Sequence, residues 1–529
     1  AAYGLTALDA ITTGDNNVAI GYGASSAGTS MKDSVAIGFG AADASTTMGR
    51  FVAIGYGAMG TGVGTAATSY NIAIGYDSLK AITSGTDNIA IGVDANKGAD
   101  GESHNLAIGS TALGSTSING GEYNVAIGNY ALDALTTADD SVAVGYEAGT
   151  AITTGGGNVL VGFEAGHDLT EGGYNVFLGY QAGAAMTTSG DQIAIGFQAL
   201  ETSDTEENNI AIGKNALRSA NSGGEKNVAI GNSALAVLTS ADSNVAVGYN
   251  AGAAVTTGGF NTFVGSEAGK TYTDTGDVNT AIGASALQAM TTGTQNTALG
   301  GNAGYTLTTG GNNVLIGHNA GDGFDTESHN LAVGKDALGG SVAGGEYNVA
   351  IGNFALDALT SGDKNTGVGY ETLTAMTTGN NNTGFGHRAG YQINTGTHNT
   401  CLGESAGGSI TSGGENIAIG RTAGQDAVAD ISTASNQIVM GINAHTHAFI
   451  KIDWTVTSDE RDKMNFDEIP HGLSFVNALQ PVKFDFKKSR DNPTPHGKTK
   501  YGFKAQDILA LEGDNPIIIN NDDEDNLKV

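Results

Sequence analysis

A pentapeptide of the form N-V-A-I-G returns along this chain at a nearly constant interval, and that recurrence limits the fold more than any other feature. Glycines closing the motif stand at Gly21, Gly38, Gly55, Gly75, Gly92 and onward to Gly420 and Gly441, and 18 of the 24 intervals between them are 17 residues. The other intervals run from 18 to 21 residues. A fixed period of this size marks a solenoid, in which each repeat buries its apolar side only by stacking on its neighbours. Such a repeat is too short for a pair of helices, so each one is expected to be a single β-coil.

Positions within the repeat carry distinct expectations. The residue before the closing glycine is large and apolar (Ile20, Ile127, Val247, Leu299), and Val, Ile, Leu or Thr stands two places earlier. Residues two apart share one face of a strand, so this pair is expected to fill the inside of the coil. Alanine usually stands between them (Ala19, Ala73, Ala126) and returns three residues after the glycine in 23 of 25 repeats. Those small residues are expected on the outer face, where another backbone comes close. Four residues before the glycine, Asn occurs in 20 of 25 repeats, as at Asn17, Asn71, Asn124 and Asn348. Stacked coils would align these amides into a ladder along the axis. The second half of the repeat reads like Ala151 to Gly155 or Ala289 to Gly293, which predicts a second short strand and a turn. At about 4.8 Å per coil, some 25 coils would form a rod of roughly 120 Å. Longer intervals, such as Gly55 to Gly75 and Gly109 to Gly128, are expected to place loops on its surface.

Composition agrees with regular stacking in place of a deep core. Glycine supplies 83 of 529 residues and aromatics only 6 %, yet 40 % of the chain is hydrophobic, too much for a disordered tail. The formal net charge of −31 argues against a nucleic-acid partner, since neutralising phosphates takes an excess of Lys and Arg. No apolar run suits membrane insertion, and no signal peptide is evident. The chain opens on Ala1, which suggests a piece of a longer protein. Cys401, the only cysteine, occupies an alanine position and reads as a small buried residue. No cofactor and no metal site is expected. His445 and His447 alternate as H-T-H, and are read as the frayed end of the repeats and not as ligands.

Near residue 445 the polymer changes. All five prolines and the single tryptophan, Trp454, lie beyond it, with eleven of the 23 Lys and Arg residues. The expected division is a repetitive β-roll shaft over 1–441, a connecting strand over 442–457 and a small α+β domain over 458–529. Within "TSDERDK", Ser458 and Lys463 are a candidate nucleophile and base, because a serine hydroxyl needs a neighbouring base and a desolvated lysine can serve as one.

Two resemblances bear on function. The N-V-A-I-G-x-x-A repeat resembles the β-roll heads of trimeric autotransporter adhesins, although the repeat of that family is shorter; the resemblance implies a homotrimer. The tail segments "TSDERDK", "LSFVNALQPVKFDF" and "YGFKAQDI" resemble the intramolecular chaperone domain that ends phage tail fibres, tailspikes and endosialidases. That resemblance implies a trimeric clamp which aligns three chains and then severs itself, with Ser458 as nucleophile, Lys463 as base and the bond between Thr457 and Ser458 as the one cut. The family continues past the corresponding "ILALEG" into a helix, so the tail is expected to be C-terminally truncated. Together they imply an all-β, parallel β-solenoid of 17-residue repeats in a homotrimeric fibre, followed by a small α+β chaperone domain. The implied role is virion-borne host attachment as the distal part of a phage tail fibre, with a host-surface glycan or protein receptor and other tail proteins as partners. A bacterial trimeric surface adhesin is the alternative, disfavoured because such adhesins end in a membrane-anchoring barrel. A polysaccharide-degrading tailspike is disfavoured by the lack of a paired-carboxylate cluster outside the regular repeat. The Thr-Thr-Gly runs leave an ice-binding face as a remote reading, and the Gly-Gly-x-Gly-x-Asp period of calcium rolls is not present. Only a single-turnover self-cleavage is expected as enzymatic chemistry.

Overall fold

The computed structural model describes residues 1–47, 49–61, 69–115, 119–202, 206–219, 224–273, 278–340, 344–425, 431–445, 472–489 and 492–512. They fall into two compact units, 1–364 and 365–529. The first unit opens with the short strand β1 (Ala2–Tyr3) and continues through strands β2 (Val18–Ile20) to β21 (Val349–Ile351), one per coil, each after β1 three residues long and parallel to the next. The second unit carries β22 (Thr366–Val368) to β26 (Ile438–Met440) in the same parallel arrangement. After them come helix α1 (Leu473–Ala478), strands β27 (Val482–Ser489) and β28 (Asn492–Gly502), and helix α2 (Ala505–Glu512). The coils are thus an all-β parallel solenoid of 17-residue repeats, and the tail is a small mixture of helix and strand.

Register follows the repeat. Val159, Leu160 and Val161 pair with Val176, Phe177 and Leu178, each residue meeting its equivalent one coil on. The closing glycine makes this stacking possible. Gly162 adopts φ of +146°, and a Cβ placed on it would stand 2.2 Å from the carbonyl oxygen of Gly179. No side chain fits there, which is why the position is invariant within the chain.

The inside and outside of the strand are the reverse of the sequence expectation. Ala19, Ala73 and Ala126 point inward and are fully buried, whereas the larger residues on either side of them are only partly covered. The larger pair does share a face, but that face is the outer one. The interior is narrow and already filled by the alanine three residues after the glycine and by the residue after that, such as Ala112 and Leu113 or Ala131 and Leu132, all buried. Only a small strand centre fits beside a leucine at that place. Where the centre is bulky, the leucine gives way to glycine: Leu160 accompanies Gly166, Phe177 Gly183, Phe263 Gly269 and Leu315 Gly321. A Cβ on Gly183 would lie 2.6 Å from Phe177 Cε2. Neighbouring coils share the filling: Gly149 accompanies the small Ala143, and a Cβ on it would lie 2.6 Å from Leu160 Cδ1 of the next coil, so the interior stays densely packed.

The asparagine ladder is present and uses the backbone as well as side chains. Asn158 Oδ1 accepts the backbone N–H of Asn175 at 2.9 Å, and its Nδ2 donates to the Gly172 carbonyl at 2.9 Å. Each amide therefore clamps two points of the next coil. The expected second strand is absent: residues 151–155 form a turn. Two successive amides, Thr153 N–H and Thr154 N–H, donate to one carbonyl, that of Thr170, so the chain bends and the alternation of a strand is lost. The hydroxyls of Thr136, Thr153 and Thr170 donate to carbonyls one coil on, at 2.9, 3.1 and 2.8 Å, and so hold coils together.

Two longer coils are tied back by buried glutamates. Glu327 is 2 % exposed; its carboxylate accepts the N–H groups of Asp325 at 2.6 Å, Thr326 at 3.0 Å and Gly344 at 2.8 Å. Glu102 repeats the arrangement with Asp100, Gly101 and Gly120 at 2.7, 3.1 and 2.9 Å. Truncation by Glu327→Ala strips three donors of their acceptor, and a donor left without a partner in a buried place costs about 1–3 kcal/mol. Amide hydrogen exchange at Asp325, Thr326 and Gly344 is expected to accelerate by at least about tenfold, while exchange in distant coils stays unchanged. Unaltered exchange at those three amides would contradict this role.

Candidate functional site

The candidate cleavage residues Thr457, Ser458 and Lys463, with His447, lie outside the described residues. The described part of the tail shows the frame that follows them. Helix α1 starts after Gly472 in an extended conformation and ends at Leu479, whose N–H still donates to the Phe475 and Val476 carbonyls. Pro481 prevents its continuation. Strands β27 and β28 then pair antiparallel, Val482 opposite Gly502 and Lys483 opposite Tyr501, with two breaks of register further along. Helix α2 follows directly, with Lys504 3.4 Å from Asp507 across its first turn.

This frame has little core of its own. Helix α1 buries no residue; Leu473 is 74 % exposed, Val476 58 % and Tyr501 81 %. Among the described residues of the tail, Ile508 is the one buried apolar side chain. Helices of six and eight residues are too short to persist on propensity alone. Among the described residues these apolar faces are left open.

The solenoid also leaves apolar surface open, on the outer side of the strands. In the first unit Val35, Val52 and Ile72 form one wall of a shallow trough of about 400 Å³, beside Arg50 and Tyr70. Exposed ring stacks run along the coils next to this face. Tyr22, Phe39, Tyr56 and Tyr76 stack in sequence with centroids 5.1 Å apart. Tyr146, Phe163, Tyr180 and Phe197 form a second stack at 5.4, 5.1 and 5.1 Å. In the second unit Phe385, Leu402, Ile438 and Met440 are exposed. The sequence reading missed the ring stacks, although each ring directly follows a closing glycine and the signal was there. These side chains are open to contacts with another molecule.

Cys401 is buried, and burial pushes its thiol up to about 12, far from a reactive thiolate. His445 Nδ1 accepts the N–H of Ile442 at 3.2 Å, a local contact at the end of the coils. Among the described residues no three His, Cys, Asp or Glu side chains gather as a metal site, and no helix is long and apolar enough to cross a membrane.

Residues 458–514 match the family described as Chaperone of endosialidase. The match starts at Ser458 and takes in the described helices and hairpin. A 17-residue-repeat solenoid that leads into a segment of this kind fits a tail fibre with a C-terminal chaperone. No curated protein matches the chain.

Proposed function

We propose that this protein is the distal, host-attaching part of a homotrimeric phage tail fibre, and that its C-terminal chaperone aligns the three chains and then cuts itself free before Ser458. The observation that carries the proposal is the chaperone match over residues 458–514. The exposed apolar faces of α1 and of the coil strands support it, since three copies can cover in each other what one copy leaves open.

Assembly supplies the reason for a chaperone. Coils that nearly repeat can associate with their copies one repeat out of register while losing only end contacts. A clamp at one end removes that ambiguity. In the cleavage step the Lys463 amine takes the Ser458 hydroxyl proton, and Oγ attacks the Thr457 carbonyl carbon. The C–N bond to Ser458 breaks as the proton passes to its nitrogen, leaving an ester. Water then hydrolyses the ester, producing a carboxylate at Thr457 and restoring the Ser458 hydroxyl. Loss of the clamp leaves an assembled fibre that has no easy route back, a kinetic form of stability.

The test is a denaturing gel of the wild-type protein beside Ser458→Ala. The wild type is expected to run shorter by residues 458–529, with the variant uncut and Lys463→Ala slowed by at least about a hundredfold. Bands of equal length would contradict self-cleavage while leaving the alignment role to be judged by assembly.

A further inference from the structure

A shallow polar groove of about 350 Å³ opens on the first unit, lined by Glu267, Ser285, Gln288, Asn302, Tyr305 and Asp322. These residues come from two surface rows, the second and the fifth residue after the closing glycines Gly265, Gly283, Gly300 and Gly317. Elsewhere the two rows close on each other: Lys80 meets Asp77 at 2.7 Å, Lys97 meets Asp94 at 2.9 Å, and Gln198 meets Glu201. Here Ser285 is too short to close the gap. The row just after the glycines is also stripped, to Ser266, Ala284 and Gly301, where neighbouring stretches carry Tyr and Phe.

The groups facing this gap are unequally occupied. Glu267 is engaged by Lys270 at 3.0 Å and by Gln288. Asn302 donates to Asn319 at 3.2 Å. Among the described residues, the Asp322 carboxylate has no hydrogen bond to another side chain, and burial and then Asp336 raise its pKa. Tyr305 is 42 % exposed and, unlike the rings of the two stacks, lies against no other ring among the described residues. Part of the ring is therefore accessible from the groove.

We propose that this groove binds a neutral polysaccharide, with the Tyr305 ring against the C–H face of a sugar and with Asp322, Asn302 and Ser285 hydrogen-bonded to its hydroxyls. A half-exposed aromatic ring beside several small polar groups suits a ligand that is apolar on its ring faces and hydroxylated at its edges. An acidic polymer is repelled by Asp322, on a chain of net charge −31. The groove lacks the buried apolar anchors on which protein partners depend. The inference rests on the host-attachment reading and names its ligand class.

The test measures binding of the full chain to immobilised mannan, dextran, galactan and chitin, with polysialic acid as the acidic comparator and adsorption to a panel of bacterial cells in parallel. Wild type is expected to bind at least one neutral polymer and not polysialic acid. Tyr305→Ala and Asp322→Asn are expected to weaken that binding by about tenfold or more, while Tyr249→Ala, an exposed ring outside the groove, changes it by less than about twofold. All three variants are expected to melt like wild type. Binding that survives both groove variants overturns the proposal, as does failure to bind any neutral polymer. If cells are still adsorbed in either case, only the groove assignment falls; if no cell is adsorbed, the attachment reading falls with it.

Discussion

Gly162→Ala is expected to break the solenoid locally, with a loss of at least about 4–5 kcal/mol, at the extreme of what one substitution does. The added methyl would sit 2.2 Å from the Gly179 carbonyl oxygen, and φ of +146° is itself closed to a side chain. Neither coil can shift alone, because strands β10 (Val159–Val161) and β11 (Val176–Leu178) are held in register on both sides of the clash. Since coils contact only their neighbours, the damage should stay local and expose the chain to protease between about residues 155 and 180. Gly40→Ala is the matched control. Its φ is +61° with nothing within 4 Å of the added methyl, and other coils carry ordinary residues such as Glu164 at φ of 53° in the equivalent place. It should cost no more than about 1–2 kcal/mol. Equal protease resistance of the two variants would contradict the stacking role of the closing glycine.

Phe177→Ala is expected to destabilise its coil by about 3–5 kcal/mol, the cost of emptying a filled aromatic site. Phe177 is fully buried and occupies space that Gly183 leaves open. The double variant Phe177→Ala with Gly183→Leu recreates the pattern of the next coil, where Ala194 accompanies Leu200. Backbone conformation allows it: Leu200 adopts φ of 52° and Gly183 φ of 61°. The second change should therefore recover at least about 1 kcal/mol on the Phe177→Ala background, yet by itself overfill the coil and cost about 1–3 kcal/mol. Melting of the four proteins gives the coupling directly. Additive losses would show that the two positions do not share one volume.

Much of the fold is written in the period, because a glycine that no side chain can replace and an asparagine that clamps the next coil both recur at fixed places. What the pattern could not show is which strand face is inner. Alternation pairs Val18 with Ile20, but it is Leu79 and Leu113, contributed from beyond the strand, that leave room only for alanine at the strand centre. The exchange of Phe177 and Gly183 against Ala194 and Leu200 was visible as letters, yet it gains meaning only once the coil closes. Glu102 and Glu327 look like surface charges in a sequence, and their burial depends on backbone donors that no side-chain pattern records. The second strand predicted around Thr153 failed because a shared carbonyl turns the chain. For the tail, Ser458 and Lys463 are singled out only by resemblance, as five-residue spacing of a serine and a lysine carries no geometry of its own, and both lie outside the described residues.

The proposed association of copies gives the exposed surfaces a common use. Outward-facing Val and Ile, two exposed ring stacks and a chaperone-like tail with Leu473 and Tyr501 in the open are costly features for a lone chain, and useful ones for chains that lie side by side. Sedimentation of the protein at micromolar concentration, with the mass determined independently of shape, decides the matter. Three chains of at most 53.0 kDa each are expected in one particle. A particle with the mass of one chain, its strand faces open to solvent, would contradict the account.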